Sequence, residues 1–573
     1  MKLLVERARP YVRGGPDGQT DLAPSVQLEV LAGGPEGWTM RVHNTSGTPI
    51  PVRACGLVVP LESQGAIRMF QHGYQSWSPS GLVTLGVDRD PSLAEDSFEL
   101  FCAAHHADQR RARDDELRSE AVTVLADGTE QTVLVGWLGG DRHDGTLRLR
   151  GGPDGPELVV EAFLGDAVLA PGSERDLHPV RLIDGQRDRH PEMLDRWAAE
   201  AGRQSGARVS APYQIGWCSW YHYFSEVTES DLDANLALSD RWPFEVFQLD
   251  DGYQSHIGDW LTTRSTFPSP LPRIAQRIAE VGRRPGIWLA PFLVHPDSEV
   301  ARAHPEWIAT MPADAAQPLP GMINDIWGGV VYVLDTTRPE VLAHLESVAT
   351  ELVTMGFTYL KLDFTYAPSF DGRYADPSKT PAERVRAGYD AIRRGAGDEA
   401  FLLGCGAPLA ACAGVVDGMR IGPDVAPSWG VPEGDWHPSR YRETAPATAN
   451  AWQATLARSF LHRRWWLNDP DCLMLRTTHT DLPPESVRAW ALAVAASGGM
   501  ALVSDDLSLL DDAARDLLDE VTSIGRDVDA AALAGSPPAC PDLMDRRPPT
   551  RLTGGGVELV GDPIAGTAEL MRG

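Results

Sequence analysis

Residues 359–364, Tyr-Leu-Lys-Leu-Asp-Phe, decide the fold of this chain. The run is short, apolar at Tyr359, Leu360 and Leu362, and ends on a carboxylate. On a strand, the period of two puts Lys361 and Asp363 on one face. Seven further runs share this texture: QIGWCSW (214–220), VFQLDDG (246–252), GIWLAPF (286–292), VYVLDTT (331–337), FLLGCGAP (401–408), GMRIGPDV (418–425) and RWWLNDP (464–470). Helical segments separate them, and several carry start signals. Thr380-Pro-Ala-Glu383 offers a capping box with proline at the first helical position, Thr337-Arg-Pro-Glu340 offers another, and Thr228–Asp231 a weaker one. Eight such strands are what a closed parallel barrel needs. No glycine-rich phosphate loop follows the first run, which weighs against a doubly wound sheet.

The expected architecture is therefore α/β plus β, with a central (β/α)8 TIM barrel over residues 188–510. Residues 1–187 predict an N-terminal β-sandwich. Val26, Leu28 and Val30 alternate with polar residues, as do Trp38, Met40 and Val42, and Asp127-Gly128 separates two strand-like runs as a hairpin would. Residues 511–573 combine a helical stretch, a proline-rich linker and short strand-like runs, which predict a small C-terminal β-module.

Charge narrows the partners. The chain of 573 residues holds 51 Lys and Arg against 80 Asp and Glu, a net charge of −29. Such a surface repels phosphate backbones and anionic lipid, so neither nucleic acid nor membrane is an expected partner. MKLLVERARP breaks its apolar run at Glu6 and Arg7, and the longest apolar stretch, Ala491 to Val503, is too short to span a bilayer. The seven cysteines are odd in number, scattered and without a C-x-x-C pair, which points to reduced thiols in a cytoplasm and away from zinc. No cofactor and no metal are expected. The charged stretch RRARDDELR (110–118) reads as solvated, and His105, His106 and His222 as structural.

In a barrel of this kind, chemistry sits at the C-terminal ends of the strands. The groups placed there are Asp250 and Asp251, Trp288, Asp335, Lys361 and Asp363, Cys405, Arg420 and Asp424, and Asp469 and Asp471. Carboxylates accept hydrogen bonds from hydroxyls and indoles stack on the apolar face of a sugar, so the inventory suits cleavage of a glycosidic bond by two carboxylates. Lys361 beside Asp363 would keep that carboxylate ionised; a buried ion pair lining the barrel is the alternative. A metal-dependent hydrolase on the same barrel lacks its histidine ligands here.

Taken in order, SWYHYF (219–224), FEVFQLDDGY (244–253) with IGDWL (257–261), GIWLAPF, YLKLDF, LLGCGAPL (402–409), VDGMRIGPD (416–424) and RWWLNDPDC (464–472), together with GYQSW (73–77), resemble the α-galactosidases of glycoside hydrolase family 36, particularly the shorter bacterial members. The resemblance implies Asp363 as nucleophile and Asp424 as general acid/base. It implies Asp250 and Asp251 on O4 and O6 of galactose, Lys361 near O3 and O4, and Arg420 and Cys405 near O2. Trp288 would wall the pocket, with Tyr221 and Trp77 at its mouth, Trp77 reaching in from the β-domain. The implied activity is retaining hydrolysis of terminal α-galactose from melibiose- or raffinose-type oligosaccharides, with the two carboxyls about 5.5 Å apart. An α-N-acetylgalactosaminidase or a galactosyl transferase using the same mechanism is the alternative. Larger members carry a glycine run after the cysteine and a Ser-Asp-Asp segment. This chain has Gly406-Ala407-Pro408 and Gly422-Pro423-Asp424, which argues for a monomer or small homo-oligomer rather than their tetramer.

Overall fold

In the computed structural model, residues 1–15, 20–89, 105–109, 115–432 and 443–572 are described. Two antiparallel sheets occupy the N-terminal part, one of them centred on the long strands Ile50–Glu62 and Gly155–Leu169. Gly37–Asn44 keeps the expected alternation, with Trp38, Met40 and Val42 in the core. Its neighbour Val26–Gly34 does not: the register shifts between Val30 and Ala32, and both Val30 and Leu31 stand exposed on this edge. Strands Val122–Ala126 and Gln131–Trp137 form the expected hairpin. Its Asp127 side chain accepts from Thr129 N and Oγ1 at 2.9 and 2.6 Å. Glycine at 128 answers a close approach rather than a positive φ, because a Cβ there would lie 2.6 Å from Gln64 O. The stretch 110–118 departs from the solvated reading: Glu116 and Arg118 are buried in strand Glu116–Glu120, whereas residues 110–114 lie outside the described residues.

Helix His190–Ser205 joins the sandwich to the barrel, and its Trp197 donates to Trp137 O at 3.1 Å. The barrel strands are β1 (Ile215–Cys218), β2 (Val246–Leu249), β3 (Arg284–Leu289), β4 (Tyr359–Leu362), β5 (Phe401–Gly404), β6 (Gly418–Arg420), β7 (Leu467–Asp469) and β8 (Ala501–Val503). They pair in parallel in chain order, and β8 also pairs with β1. Met500 N donates to Asn468 O at 2.9 Å and Leu473 N to Leu502 O at 2.7 Å, which closes the ring.

Two of the expected barrel assignments change. VYVLDTT is not a barrel strand: Gly329–Val333 pairs antiparallel with Leu293–Val294 and Pro320–Asn324 in an insertion between β3 and β4. The eighth strand is Ala501–Val503, which merges in the sequence with the apolar helix Pro484–Ser497. Only Gly498, Gly499 and Met500 separate them, Gly498 ending the helix at φ 65°. Because the helix from Ala489 onward and the strand are both buried all round, no periodicity distinguishes one from the other. The capping boxes at Thr380 and Thr228 form. The one at Thr337 does not: Arg338 is the cap residue, and Thr337 Oγ1 donates to Asp335 Oδ1 at 2.6 Å. After β8, helix Asp512–Leu533 packs on Pro484–Ser497, and an antiparallel three-stranded sheet (551–572) covers the same helix. Among the described residues, no helix is long and apolar enough to cross a membrane.

Candidate active site

The chain leaves β2 through Asp250 and Asp251 and turns at Gly252, where φ is 120° and a Cβ would lie 2.7 Å from Ser225 O. The turn sends the neighbouring carboxylates to different partners. Asp250 Oδ2 accepts from Lys361 Nζ at 2.8 Å, from Gln248 Nε2 at 2.5 Å and from the Cys218 thiol at 3.4 Å. Asp251 accepts from Trp327 Nε1 at 2.8 Å and Gln254 Nε2 at 2.6 Å, with no cation in contact among the described residues. Burial pushes its pKa up to about 6; the two donors pull it down, and the charges of Asp250 and Asp363 push it further up.

On β4, Lys361 and Asp363 do share a face, but the ammonium bonds to Asp250 and not to Asp363. Asp363 is held instead by Trp288 Nε1 at 3.0 Å and by the Phe364 N–H at 2.8 Å. Burial raises the Asp363 pKa; Lys361, Trp288 and the Cys405 thiol pull against that rise, and Asp424 adds to it. The lysine thus acts on Asp363 in the expected direction, and desolvation outweighs it.

At the end of β6, Arg420 Nη2 reaches Asp424 Oδ1 at 2.6 Å and Tyr221 OH at 3.0 Å, and it also bonds Asp471. Asp471 accepts from Tyr221 OH and from the N–H groups of Val425 and Cys472 at 2.9 and 2.7 Å. The Asp424 side chain is 34% exposed, while the Asp471 side chain is 2% exposed. One carboxylate of the Arg420 pair therefore faces the opening and the other anchors it.

Trp77 arrives from the sandwich. The loop Gly73–Ser78 is clamped by the buried Arg458, whose guanidinium donates to Ser76 O at 2.6 Å, Ser78 O at 2.9 Å and Ile421 O at 2.7 Å. The Trp77 ring meets Phe364 edge-on at 5.1 Å and Tyr366 at 6.0 Å. Gly406 has φ 50°, and a Cβ there would lie 2.6 Å from the Trp77 ring, so the residue after Cys405 has to be glycine. The ten residues singled out from the sequence thus form one connected constellation at the C-terminal ends of β1 to β6.

Three contributors were not given a role by the sequence. Trp327 sits in the insertion after β3 and stands 4.9 Å from Phe364 and 6.2 Å from Trp288, ring to ring. No local pattern marks it, because it reaches the site across 76 residues from Asp251. Asp471 was visible as a strand-end carboxylate, without its partner. Arg458 lies outside every strand-end motif. Among the described residues, no group of three or more His, Cys, Asp or Glu side chains is placed to hold a metal ion.

Residues 216–371 match the family profile described as Melibiase. The α-galactosidase AgaA of Geobacillus stearothermophilus is 29% identical over 176 residues, covering 29% of this chain and 22% of that protein. The Escherichia coli α-galactosidase is 32% identical over 108 residues, covering 18% and 14%. The matched segments thus span less than a quarter of the length of either relative. TtGalA, an α-galactosidase from Thermus thermophilus solved with p-nitrophenyl α-D-galactopyranoside, is similar with a TM-score of 0.69 and 27% identity, over 96% of this chain and 98% of that one. The structure of AgaA, at 12% identity and a TM-score of 0.61 over 98% of this chain and 77% of that one, shares the fold.

Proposed function

We propose that this chain, whose residues 216–371 match the Melibiase family, is an α-galactosidase that releases terminal α-galactose by double displacement with retention. The observation that carries the proposal is the unequal pair of carboxylates at the ends of β4 and β6. Asp363 is buried and oriented by Trp288 Nε1 and the Phe364 N–H, as a nucleophile needs to be. Asp424 is partly exposed and pinned by Arg420, as suits a group that passes protons to a leaving group and then to water.

In the first step Asp363 attacks the anomeric carbon while Asp424 protonates the departing oxygen. In the second, Asp424 takes a proton from water, which displaces Asp363 and releases α-galactose. Asp250, Asp251 and Lys361 form the acceptor and donor set for the O4 and O6 edge. An equatorial O4 would leave this set partly unpaired, which disfavours glucosides by up to roughly 10⁴-fold. The Thermus relative was solved with stachyose as well as with the aryl galactoside, which supports galactosyl oligosaccharides as the substrate class. Plain galactose is favoured over N-acetylgalactosamine because the Cys405-Gly406 turn is packed under Trp77.

The test is to follow an α-galactoside by NMR as it is cleaved. Initial release of the α-anomer is expected, with turnover abolished in Asp363→Ala. Initial release of β-galactose, or full activity in that variant, would overturn the mechanism.

A further inference from the structure

Arg458, at the end of helix Thr448–Ala457, is wholly buried, and among the described residues no carboxylate touches its guanidinium. Burial is the one influence on its pKa, and lowers it. Taking a guanidinium out of water without a counter-charge is costly, and here carbonyl hydrogen bonds alone offset that cost. Four of those carbonyls, on Gly73, Gln75, Ser76 and Ser78, belong to the sandwich loop and lie at 3.4, 3.2, 2.6 and 2.9 Å. The fifth, at 2.7 Å, is on Ile421, three residues before Asp424. A well-packed apolar side chain would fill such a place at less cost, so packing does not account for a cation there.

What the clamped loop delivers is Trp77. The loop is also fixed to the turn after β5, where Ser76 N donates to Ala407 O and Ala407 N to Ser76 Oγ, both at 3.2 Å. The Trp77 ring stands edge-on to Phe364 at 5.1 Å and Trp327 does so at 4.9 Å, so two indoles brace one phenyl ring. Phe364 needs the brace: its φ is 52°, in the left-handed region that bulky side chains resist. In this strained conformation the Phe364 N–H donates to Asp363 Oδ1 at 2.8 Å. Gly406 leaves room for the arrangement, since a Cβ there would lie 3.0 Å from Phe364 N as well as against the Trp77 ring. Contacts thus run without a break from the Arg458 guanidinium through Trp77 and Phe364 to the Asp363 carboxylate.

We infer that Arg458 is a positioning residue for the galactosidase reaction: by clamping the sandwich loop it holds Trp77 against Phe364, whose N–H in turn aims Asp363. The inference rests on the galactosidase reading above and gives the sandwich a part in the chemistry at the end of β4. Releasing the clamp leaves Asp250, Asp251 and Lys361 in place, so the effect falls on turnover rather than on binding. A misplacement of about 1 Å in a reacting group costs on the order of 100-fold in rate.

The experiment measures kcat and KM for p-nitrophenyl α-galactoside, per folded molecule and below each melting temperature, in Arg458→Lys and Gly73→Ala, each with and without Trp77→Ala. Lysine keeps the charge but lacks the planar fork that reaches the loop and Ile421 together. Gly73→Ala disturbs the clamp from the loop side, because its Cβ would lie 2.9 Å from Arg458 Nη2, and it carries the test if Arg458→Lys does not fold. In either variant kcat is expected to fall about ten- to hundredfold, with KM changed by less than about threefold. In the Trp77→Ala background the same substitutions should cost less than about threefold, since the ring that transmits them is gone. An unchanged kcat, whatever the melting temperature or KM, or equal kcat losses with and without Trp77, would overturn the inference while leaving the galactosidase reading in place. A wild type inert on the aryl galactoside would overturn both.

Discussion

On the sandwich sheet, Arg13, Arg53 and Arg148 gather around Asp108 at 2.8, 2.5 and 3.3 Å; Arg13 and Arg148 also hold Glu161, and Arg148 holds Glu116 at 3.0 Å. At the barrel mouth, Asp250, Asp251, Asp363, Asp424 and Asp471 gather with only Lys361 and Arg420 among them as cations in contact. Burial pushes carboxylates upward in both regions, and the outcomes are opposite. In the sandwich the guanidiniums outweigh burial, holding Asp108 well below the usual carboxylate range and Glu161 at about 2. At the mouth burial raises Asp251 to about 6 and raises Asp363 as well, because each is held by N–H donors and, among the described residues, by no cation in contact. Burial alone therefore does not fix the charge of a carboxylate: several touching guanidiniums outweigh it at Asp108 and Glu161, whereas N–H donors do not outweigh it at Asp251 and Asp363. The sandwich network also reaches the barrel, since Arg53 bonds Asp371 at 2.7 Å in the loop that follows β4 and Asp363.

The comparison can be broken at either end. Asp363→Asn keeps the volume and removes the charge, so kcat on an aryl α-galactoside should fall by about 10⁴-fold or more with the melting temperature retained. A loss of tenfold or less would place Asp363 among the structural carboxylates. Asp108→Asn should do the reverse, costing about 3–5 kcal/mol of stability in urea titrations by leaving three guanidiniums short of a counter-charge. Near-neutral stability would show that the network contributes little.

Asp251→Asn sharpens the contrast through pH. The folded pKa of about 6 lies above the ordinary carboxylate value of 3.8, so the native state holds the proton more tightly than the unfolded chain. The wild type should therefore lose stability as pH rises from about 4 to about 6, and the uncharged variant should be more stable by about 2–3 kcal/mol at pH 7 and no more stable at pH 3. Glu161 carries the opposite sign: its stabilisation is present above pH 4.5 and is lost as pH falls toward 2. An Asp251→Asn variant that melts lower than wild type at pH 7 would contradict this account. The smallest effect belongs to Trp327→Phe, which removes one N–H from Asp251. The acid limb of kcat/KM should move upward by about one pH unit, and an unmoved limb would mean that Asp251 does not titrate in that limb.

The catalytic strands were legible because each of them presents a buried apolar run ending in polar residues, and that pattern is local. Seven of the eight barrel strands could be placed from such runs, among them all six that carry the site, including β2 with Asp250-Asp251. The two misplacements have one cause. Gly329–Val333 and Ala501–Val503 are both short and apolar, and a strand's partner is not written in its own residues. Counting VYVLDTT as a barrel strand put Asp363 at the end of the fifth strand and Asp424 after the seventh; the structure puts them at the fourth and sixth. The residues remained correct because the local run and its terminal carboxylate, not the strand count, selected them.

The sequence by itself determined which side chains could do the chemistry: residue type, strand period and turn residues such as Gly252 and Gly406 act over a few positions. Only the tertiary structure decided which charges meet. Lys361 pairs with Asp250 across 111 residues rather than with Asp363 two residues away. Trp288 and Trp327 take up the two carboxylates that lack a touching cation, and Arg458 fastens a sandwich loop into the barrel mouth. Electrostatic interactions depend on distance through space and on the water excluded between the groups, and neither quantity exists until the chain has closed its barrel.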